Sequence, residues 1–170
     1  MIHLYIGYGK GKTSAAMGSV LRMTGCGKKT AVVQFFKSGE SSEISVLQKL
    51  PGVTYFNLEQ KHGFYHFLSE YEKENVSVEI SSEFELAEKL ILSREFDMIV
   101  LDEVVDAVCL GIIEEKQLVS LLQKADSTEI ILTGHKPLQP LIDIADYYTE
   151  FICHKHPYQN GVKARKGIEF

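Results

Sequence analysis

Residues 2–14 read IHLYIGYGKGKTS, and this stretch decides the fold class of the chain. The first five of these residues are mostly apolar, which predicts a buried strand, and a glycine-rich turn follows them. Ala16, Val20 and Met23 are then spaced as on one face of a helix. A strand, a glycine-rich turn and a helix in this order are the context of a phosphate-binding loop.

The residue types of the turn suit a bound anion. Glycine lacks a Cβ, so successive backbone amides can point at a phosphate, and the helix N-terminus adds partial positive charge. We expect Lys12 to contact terminal phosphate oxygens of ATP and Thr13 to offer its hydroxyl to Mg²⁺ or Mn²⁺. The predicted ATP-binding residues of the turn are Gly7, Tyr8, Gly9, Lys10, Gly11, Lys12, Thr13 and Ser14. The turn is one residue shorter than the usual phosphate loop, and the alternative interpretation is a tight structural turn with surface lysines.

Apolar segments rich in β-branched residues alternate with helical patterns along the chain. Strands are predicted over residues 2–6, 30–36, 53–58, 97–104, 129–133 and 148–153. Besides the first helix, helical spacing is present at Leu86 and Leu90 and at Leu118, Leu121 and Leu122. The alternation predicts an α/β fold of the P-loop NTPase, RecA-like type, with a mainly parallel sheet of about six strands and helices on both faces. We expect one domain over residues 1–170, with a loop-and-helix insertion around residues 59–82 that covers a ligand.

Composition excludes several classes of function. The chain has 18 Lys and Arg against 23 Asp and Glu, a formal net charge of −5, which argues against nucleic-acid binding. Cys26, Cys109 and Cys153 are far apart, so neither a disulfide framework nor a thiolate metal site is expected, and a reducing cytoplasm fits. The chain has no basic leader and no apolar run near the roughly 18 residues of a membrane span, so neither secretion nor membrane insertion is expected.

Two carboxylates stand at the end of the fourth predicted strand. Ligands of open α/β sheets collect at this edge, so Asp102 and Glu103 are predicted to hold the metal ion together with Thr13. The predicted catalytic residues are therefore Lys12, Thr13 and Glu103. A plainer interpretation is that Asp102 only caps the following helix.

A set of segments spread over nearly the whole chain points to one family. Residues 7–13 read GYGKGKT, and the other segments are LRMTGCGKKTAVVQFFKSGE, IVLDEV, ILTGH with LIDIADYYTE, and the closing HKHPYQNGVKARKGIEF. Together they resemble the ATP:corrinoid (cob(I)alamin) adenosyltransferases of the bacterial cobalamin pathway, whose short phosphate loop reads GNGKGKT. The closing segment is distinctive, since ordinary NTPases have no such tail.

The resemblance implies a reaction and further site residues. Cobalt(I) of a corrinoid attacks C5′ of ATP, which leaves an adenosyl group on cobalt and tripolyphosphate as product. The resemblance also implies a corrinoid surface at Phe64, Tyr65 and His66, and a nucleotide contact by Arg22, with Lys37 also within reach of the nucleotide. A flavoprotein that reduces the cobalt and a homodimer are the implied partners.

Three positions depart from the family pattern. Tyr8 replaces an Asn, His66 replaces a Trp, and His135 replaces an Arg. These departures keep two other functions open. One is a P-loop ATPase or small-molecule kinase, whose product would be ADP. The other is a degenerate relative that binds ATP or a corrinoid without efficient catalysis.

Overall fold

The fold is a parallel sheet with helices on both faces. A computed structural model describes residues 1–37, 42–57 and 65–168. The strands are β1 (Ile2–Ile6), β2 (Thr30–Gln34), β3 (Val53–Asn57), β4 (Met98–Asp102), β5 (Glu129–Gly134) and β6 (Tyr147–Glu150). The helices are α1 (Lys12–Gly25), α2 (Ile44–Leu47), α3 (Glu70–Ser93), α4 (Val104–Cys109), α5 (Glu115–Leu122) and α6 (Gln139–Ile144). The strands form one parallel sheet in the order β3-β2-β4-β5-β1-β6, which confirms the predicted fold class.

Alternate residues of the central strands pack into two hydrophobic cores, one on each face of the sheet. One core joins the sheet to α3, α4, α5 and α6, and the other joins it to α1 and α2. On β4, Ile99 and Leu101 belong to the first core and Val100 to the second. Each fully buried aliphatic side chain contributes about 1.5–3 kcal/mol, so the buried residues of the central strands are a major source of the stability of the fold.

The strand order brings the candidate site residues to one edge of the sheet. β4 lies between β2 and β5, and Gln34 of β2 is in register with Asp102 of β4. β1 lies beside β5, where Ile6 is in register with Gly134. The loop after β1 and the polar ends of β2, β4 and β5 therefore meet at the carboxyl edge, where open α/β sheets bind ligands.

Several strands end earlier than the sequence predicts. Phe36 and Glu103 adopt left-handed backbone, with φ of 61° and 67°. Extended pairing stops before such a residue, so β2 ends at Gln34 and β4 at Asp102 rather than at residues 36 and 104. β6 ends at Glu150 rather than at residue 153.

Helix α3 is longer than the predicted helical pattern around Leu86 and Leu90. It spans 24 residues and begins at a capping box in which Ser69 and Glu72 satisfy each other's backbone amides. Residues 70–82 of the predicted insertion are thus the first half of this helix. No described helix, α3 included, combines the length and apolar character needed to cross a membrane.

Glu83 lies on the buried face of α3. Its exposed fraction is 8%, and neither carboxylate oxygen has a hydrogen-bond partner among the described residues. Burial raises the pKa of Glu83 to about 8, and the charge of Glu79 adds to the shift. The unfolded chain releases the Glu83 proton near pH 4.5, whereas the folded protein keeps it until about pH 8. The free energy of unfolding therefore falls as pH rises through this range.

We predict that Glu83→Gln becomes progressively more stable than the parent as pH rises. The difference in unfolding free energy should grow by about 1–3 kcal/mol between pH 5 and pH 8, because the variant has no charge to bury. Urea unfolding at several pH values measures this difference. Glu85→Gln, at an exposed position of the same helix, should show no such trend, and a pH-independent difference for Glu83→Gln would contradict the assignment.

Candidate active site

The phosphate loop connects β1 to α1 in a backbone conformation that only glycine adopts easily. Gly7, Gly9 and Gly11 have φ values of 144°, 96° and 124°. A Cβ on Gly7 would lie 2.1 Å from the carbonyl oxygen of Phe151, and one on Gly9 would lie 2.7 Å from Cβ of Cys153. The segment after β6 therefore packs directly against the back of the loop.

Lys12 is the first residue of α1, and its side chain is buried against the loop. Its Nζ donates to the carbonyl oxygens of Gly7 at 2.6 Å and Gly9 at 3.2 Å, and its exposed fraction is 6%. Burial lowers the pKa of the ammonium, and the nearby carboxylates, Asp106 first among them, oppose the shift only in part. The loop thus holds a desolvated cation at the N-terminus of α1, which is an environment that stabilises a phosphate.

Asp102 is the most enclosed charge of the site, with an exposed fraction of 0%. It accepts hydrogen bonds from Thr133 Oγ1 (2.7 Å), Gln34 Nε2 (2.8 Å), Lys37 Nζ (2.8 Å) and Thr13 Oγ1 (3.1 Å). Burial alone would raise the pKa of Asp102, but Lys37 and the hydrogen-bond donors outweigh it, so the pKa is lowered. Asp102 lies within β4 and does not cap α4, so the plainer interpretation of this residue is wrong.

Glu103 lies beside Asp102 and shares its cation. Lys37 Nζ is 3.2 Å from Glu103 Oε1 and 3.2 Å from Thr13 Oγ1. Burial raises the pKa of Glu103, and the neighbouring Asp102 charge adds to the rise while Lys37 opposes it. The Lys37 ammonium is therefore held at the point where the oxygens of Thr13, Asp102 and Glu103 converge.

These three residues fit a divalent ion. Mg²⁺ prefers oxygen ligands and is usually held by one or two carboxylates together with substrate phosphates. The oxygens already surround one cation, the Lys37 ammonium. In the described part of the chain, no cluster of three or more His, Cys, Asp or Glu side chains could hold a metal by itself, so the nucleotide would have to complete the ligand set.

Two cavities meet at this edge of the sheet. One, of about 910 Å³, lies over the phosphate loop and is lined by residues 9–14 and by His156 and Ile168 of the closing segment. The other, of about 710 Å³, has an aromatic and apolar lining that includes Phe36, Tyr65 and Leu68. Lys37, Glu103 and His135 line both cavities and form their shared wall. Two ligands can therefore meet there.

Comparison with known proteins shows the family of this chain. The model of the family described as ATP:corrinoid adenosyltransferase BtuR/CobO/CobP matches residues 1–170. The chain belongs to this family. The resemblance inferred from the sequence is thereby confirmed, and with it the assignment to the corrinoid adenosyltransferases as an enzyme family.

Curated adenosyltransferases match over nearly the whole chain. A corrinoid adenosyltransferase of Sinorhizobium sp is 31% identical over 173 residues, covering 100% of this chain and 80% of the relative. Those of Pseudomonas aeruginosa and Escherichia coli strain K12 are 30% and 29% identical, covering 98% and 100% of this chain and 82% and 85% of the relatives. Among solved structures, the cytoplasmic domain of EssC aligns with a TM-score of 0.54 at 16% identity over 97% of this chain and 33% of that chain, which reflects the shared fold.

The structure of this adenosyltransferase brings most of the predicted site residues together. Gly9 to Ser14 line the phosphate-loop cavity, while Tyr8, Tyr65 and His66 line the aromatic cavity. Arg22 is exposed in the last turn of α1, about 15 Å along the helix from Lys12, and is not among the residues that line either cavity. Phe64 lies outside the described residues.

Two of the departures from the family pattern lie next to each other. The ring centroids of Tyr8 and His135 are 5.6 Å apart. Asp106 accepts a hydrogen bond from the backbone amide of His135 at 3.0 Å. Its other carboxylate oxygen lies 2.9 Å from Nδ1 of the His135 ring. Asp106 was not predicted from the sequence, although its position three residues after Glu103 places it near the same carboxyl edge.

Sequence reasoning also missed the residues that fix Asp102. Gln34 is the last residue of β2, and its Oε1 accepts a hydrogen bond from the Tyr55 hydroxyl at 2.6 Å. Thr133 donates to Asp102 and accepts from the backbone amide of Glu103 at 2.8 Å. A polar residue in the last two positions of an otherwise buried strand is the local signal that could have identified Gln34 and Thr133.

We predict that Gly7→Ala destabilises the protein by at least about 2 kcal/mol, because it combines an unfavourable φ with a backbone clash at Phe151. Urea unfolding measures the loss. Gly18→Ala is the matched control, since an added Cβ there meets nothing within 4 Å, and it should raise stability by up to about 1 kcal/mol within α1. Equal unfolding free energies of the Gly7→Ala variant and the parent would contradict the close packing of Phe151 against the loop.

Proposed function

We propose that this protein transfers the 5′-deoxyadenosyl group of ATP to the cobalt(I) atom of a corrinoid and releases tripolyphosphate. The observation that carries the proposal is the shared wall of Lys37, Glu103 and His135 between the two cavities. ATP with its phosphates on the loop and a corrin ring in the aromatic cavity would be neighbours across this wall. Membership of the adenosyltransferase family supports the same reaction class.

The reaction makes specific demands on the protein. The electron pair of cobalt(I) forms a bond to C5′ of the ribose while the bond from C5′ to the triphosphate oxygen breaks. That bonding pair leaves with tripolyphosphate, cobalt becomes formally cobalt(III), and no proton is transferred. The protein therefore has to expose C5′ to the second cavity and stabilise negative charge on the leaving group.

The loop and the carboxylates supply this stabilisation in our proposal. Lys12 and the loop amides bind the triphosphate, exchanging the carbonyls of Gly7 and Gly9 for phosphate oxygens. Thr13, Asp102 and Glu103 would hold Mg²⁺ or Mn²⁺, which offsets charge on the triphosphate when bound. Because Asp102 is fixed by donors from β2 and β5, this carboxylate is in place before substrate arrives.

The aromatic cavity is the proposed corrinoid site. Tyr65 and His66 line it, and the ring of Tyr65 packs edge-on against Phe36 at 5.7 Å. Flat aromatic and apolar surfaces suit the face of a macrocycle. A role of Phe64 on the corrin face stays a prediction from the family resemblance.

The setting of the reaction also follows from chemistry and resemblance. Cys26, Cys109 and Cys153 are free thiols, which fits a reducing compartment, and we propose a cytoplasmic protein. A reductant is required to bring cobalt to the cobalt(I) state, and a flavoprotein is the proposed donor. A homodimer is likewise a prediction from the resemblance.

Product analysis tests the reaction class. The protein is incubated without oxygen with ATP, Mg²⁺ and chemically reduced cobalamin, and both products are identified. Adenosylcobalamin and tripolyphosphate should appear together in equal amounts. ADP with unchanged cobalamin would assign the protein to the ATPases or kinases, and binding without any product would assign it to the degenerate relatives.

We predict that Lys12→Ala lowers the affinity for Mg·ATP by about 10- to 100-fold, because the variant loses a charge-assisted contact worth roughly 1.5–3 kcal/mol. Isothermal titration calorimetry measures the affinity. Lys124→Ala, at an exposed residue after α5, should bind as the parent does. Unchanged affinity in a folded Lys12→Ala variant would remove the loop from the nucleotide site.

A further inference from the structure

Lys37 lies in a setting built around its ammonium. Its Nζ is 2.8 Å from Asp102 Oδ2, 3.2 Å from Thr13 Oγ1 and 3.2 Å from Glu103 Oε1. Its stem comes from the turn after β2, where Phe36 has a φ of 61° and the Phe35 amide donates to the carbonyl oxygen of Asp102 at 3.0 Å. A left-handed backbone at a bulky residue is unfavourable and persists only where the surroundings enforce it, so the fold holds Lys37 over the end of β4.

The oxygens around this ammonium are the ones proposed to hold the divalent ion. An ammonium and a metal ion cannot both occupy the centre of one small set of oxygens, because they need the same lone pairs and repel each other. Metal binding at Thr13, Asp102 and Glu103 therefore requires the Lys37 ammonium to move. The phosphate-loop cavity, which Lys37 also lines, gives it room to do so.

We propose that Lys37 is an internal substitute for the divalent cation: it neutralises Asp102 and Glu103 in the nucleotide-free protein and opposes metal binding until the triphosphate arrives. The inference rests on the proposed metal role of Thr13, Asp102 and Glu103. The incoming triphosphate brings oxygens that can receive the displaced ammonium within the same cavity. Lys37 thus couples metal binding to nucleotide binding, and free metal alone is a poor ligand for the site.

A different role of Lys37 leads to a different expectation. If Lys37 were a permanent structural partner of Asp102, with the metal bound elsewhere, removing the ammonium would raise metal affinity only slightly, through the loss of long-range repulsion. If Lys37 occupies the metal position, removing it frees two carboxylates for the metal. The affinity for metal in the absence of nucleotide therefore distinguishes the two roles.

The test uses Mn²⁺ as the probe and contains no nucleotide. Mn²⁺ binding to the full chain is measured by calorimetry and by the electron paramagnetic resonance signal of free Mn²⁺. Lys37→Met, which keeps an unbranched side chain but removes the charge, should bind Mn²⁺ at least about tenfold more tightly than the parent. Lys124→Met removes an exposed lysine and should match the parent, while adding Glu103→Gln to Lys37→Met should remove most of the gain.

Thermal unfolding checks that the variants fold and gives a second readout. Mn²⁺ should raise the Tm of Lys37→Met clearly more than that of the parent, because a ligand stabilises the state that binds it. Lys37→Gln, which keeps a polar side chain, serves if Lys37→Met does not fold, and it should show the same gain. No more than a slight gain in Mn²⁺ affinity in whichever variant folds overturns the proposal.

The outcome is independent of the product assay. A gain in Mn²⁺ affinity without any adenosylated corrinoid from the parent would support the role of Lys37 and refute the proposed reaction. Formation of adenosylcobalamin by the parent together with unchanged Mn²⁺ affinity in the variants would support the reaction and refute the role of Lys37.

Discussion

The arrangement of the site depends on the cost of burying one carboxylate. Asp102 has no contact with solvent, and an ionised carboxylate in such a place is stable only if it is paired and hydrogen-bonded. Its four donors come from four separate pieces of the chain: α1, β2, the turn after β2, and β5. The Asp102 carboxylate thus receives its hydrogen bonds only when β2 and β5 flank β4. A chain that misplaced either strand would leave this charge without some of its donors.

The same network extends beyond Asp102 and gives the site its rigidity. Tyr55 on β3 fixes Gln34, and Thr133 fixes both Asp102 and the backbone amide of Glu103. A hydrogen-bonded chain therefore runs from the edge strand of the sheet to the residue that lies on the wall between the cavities. Positions set this firmly need little rearrangement when charge develops on a leaving group, which is the arrangement that favours electrostatic catalysis.

Local sequence signals were enough to predict the fold and to locate the loop after β1 and the two carboxylates where β4 ends. The alternation of strands and helices, the glycines of the loop and the carboxylates after residue 101 are all readable within a few neighbouring residues. The position of Lys37 is different, because it lies 65 residues from Asp102 along the chain and depends on β2 pairing with β4. Nor does local sequence foretell left-handed backbone at Phe36 and Glu103, since that conformation is imposed on non-glycine residues by tertiary packing. In the first half of α3 only Val76 and Ile80 are buried and Val78 is exposed, so the apolar residues show no clear helical period there.

The packing of residues 151–153 behind the phosphate loop has a consequence for biosynthesis. Gly7 and Gly9 emerge from the ribosome near the start of translation, but the wall against which they pack, at Phe151 and Cys153, is made more than 140 residues later. β1 likewise pairs with β5 and β6, which are synthesised near the end of the chain. The contacts of the phosphate loop with Phe151 and Cys153 are therefore among those of longest sequence separation. Such contacts form late, because the long intervening chain has to be brought together first. A nascent chain has its glycine-rich segment long before it has a site that can hold ATP.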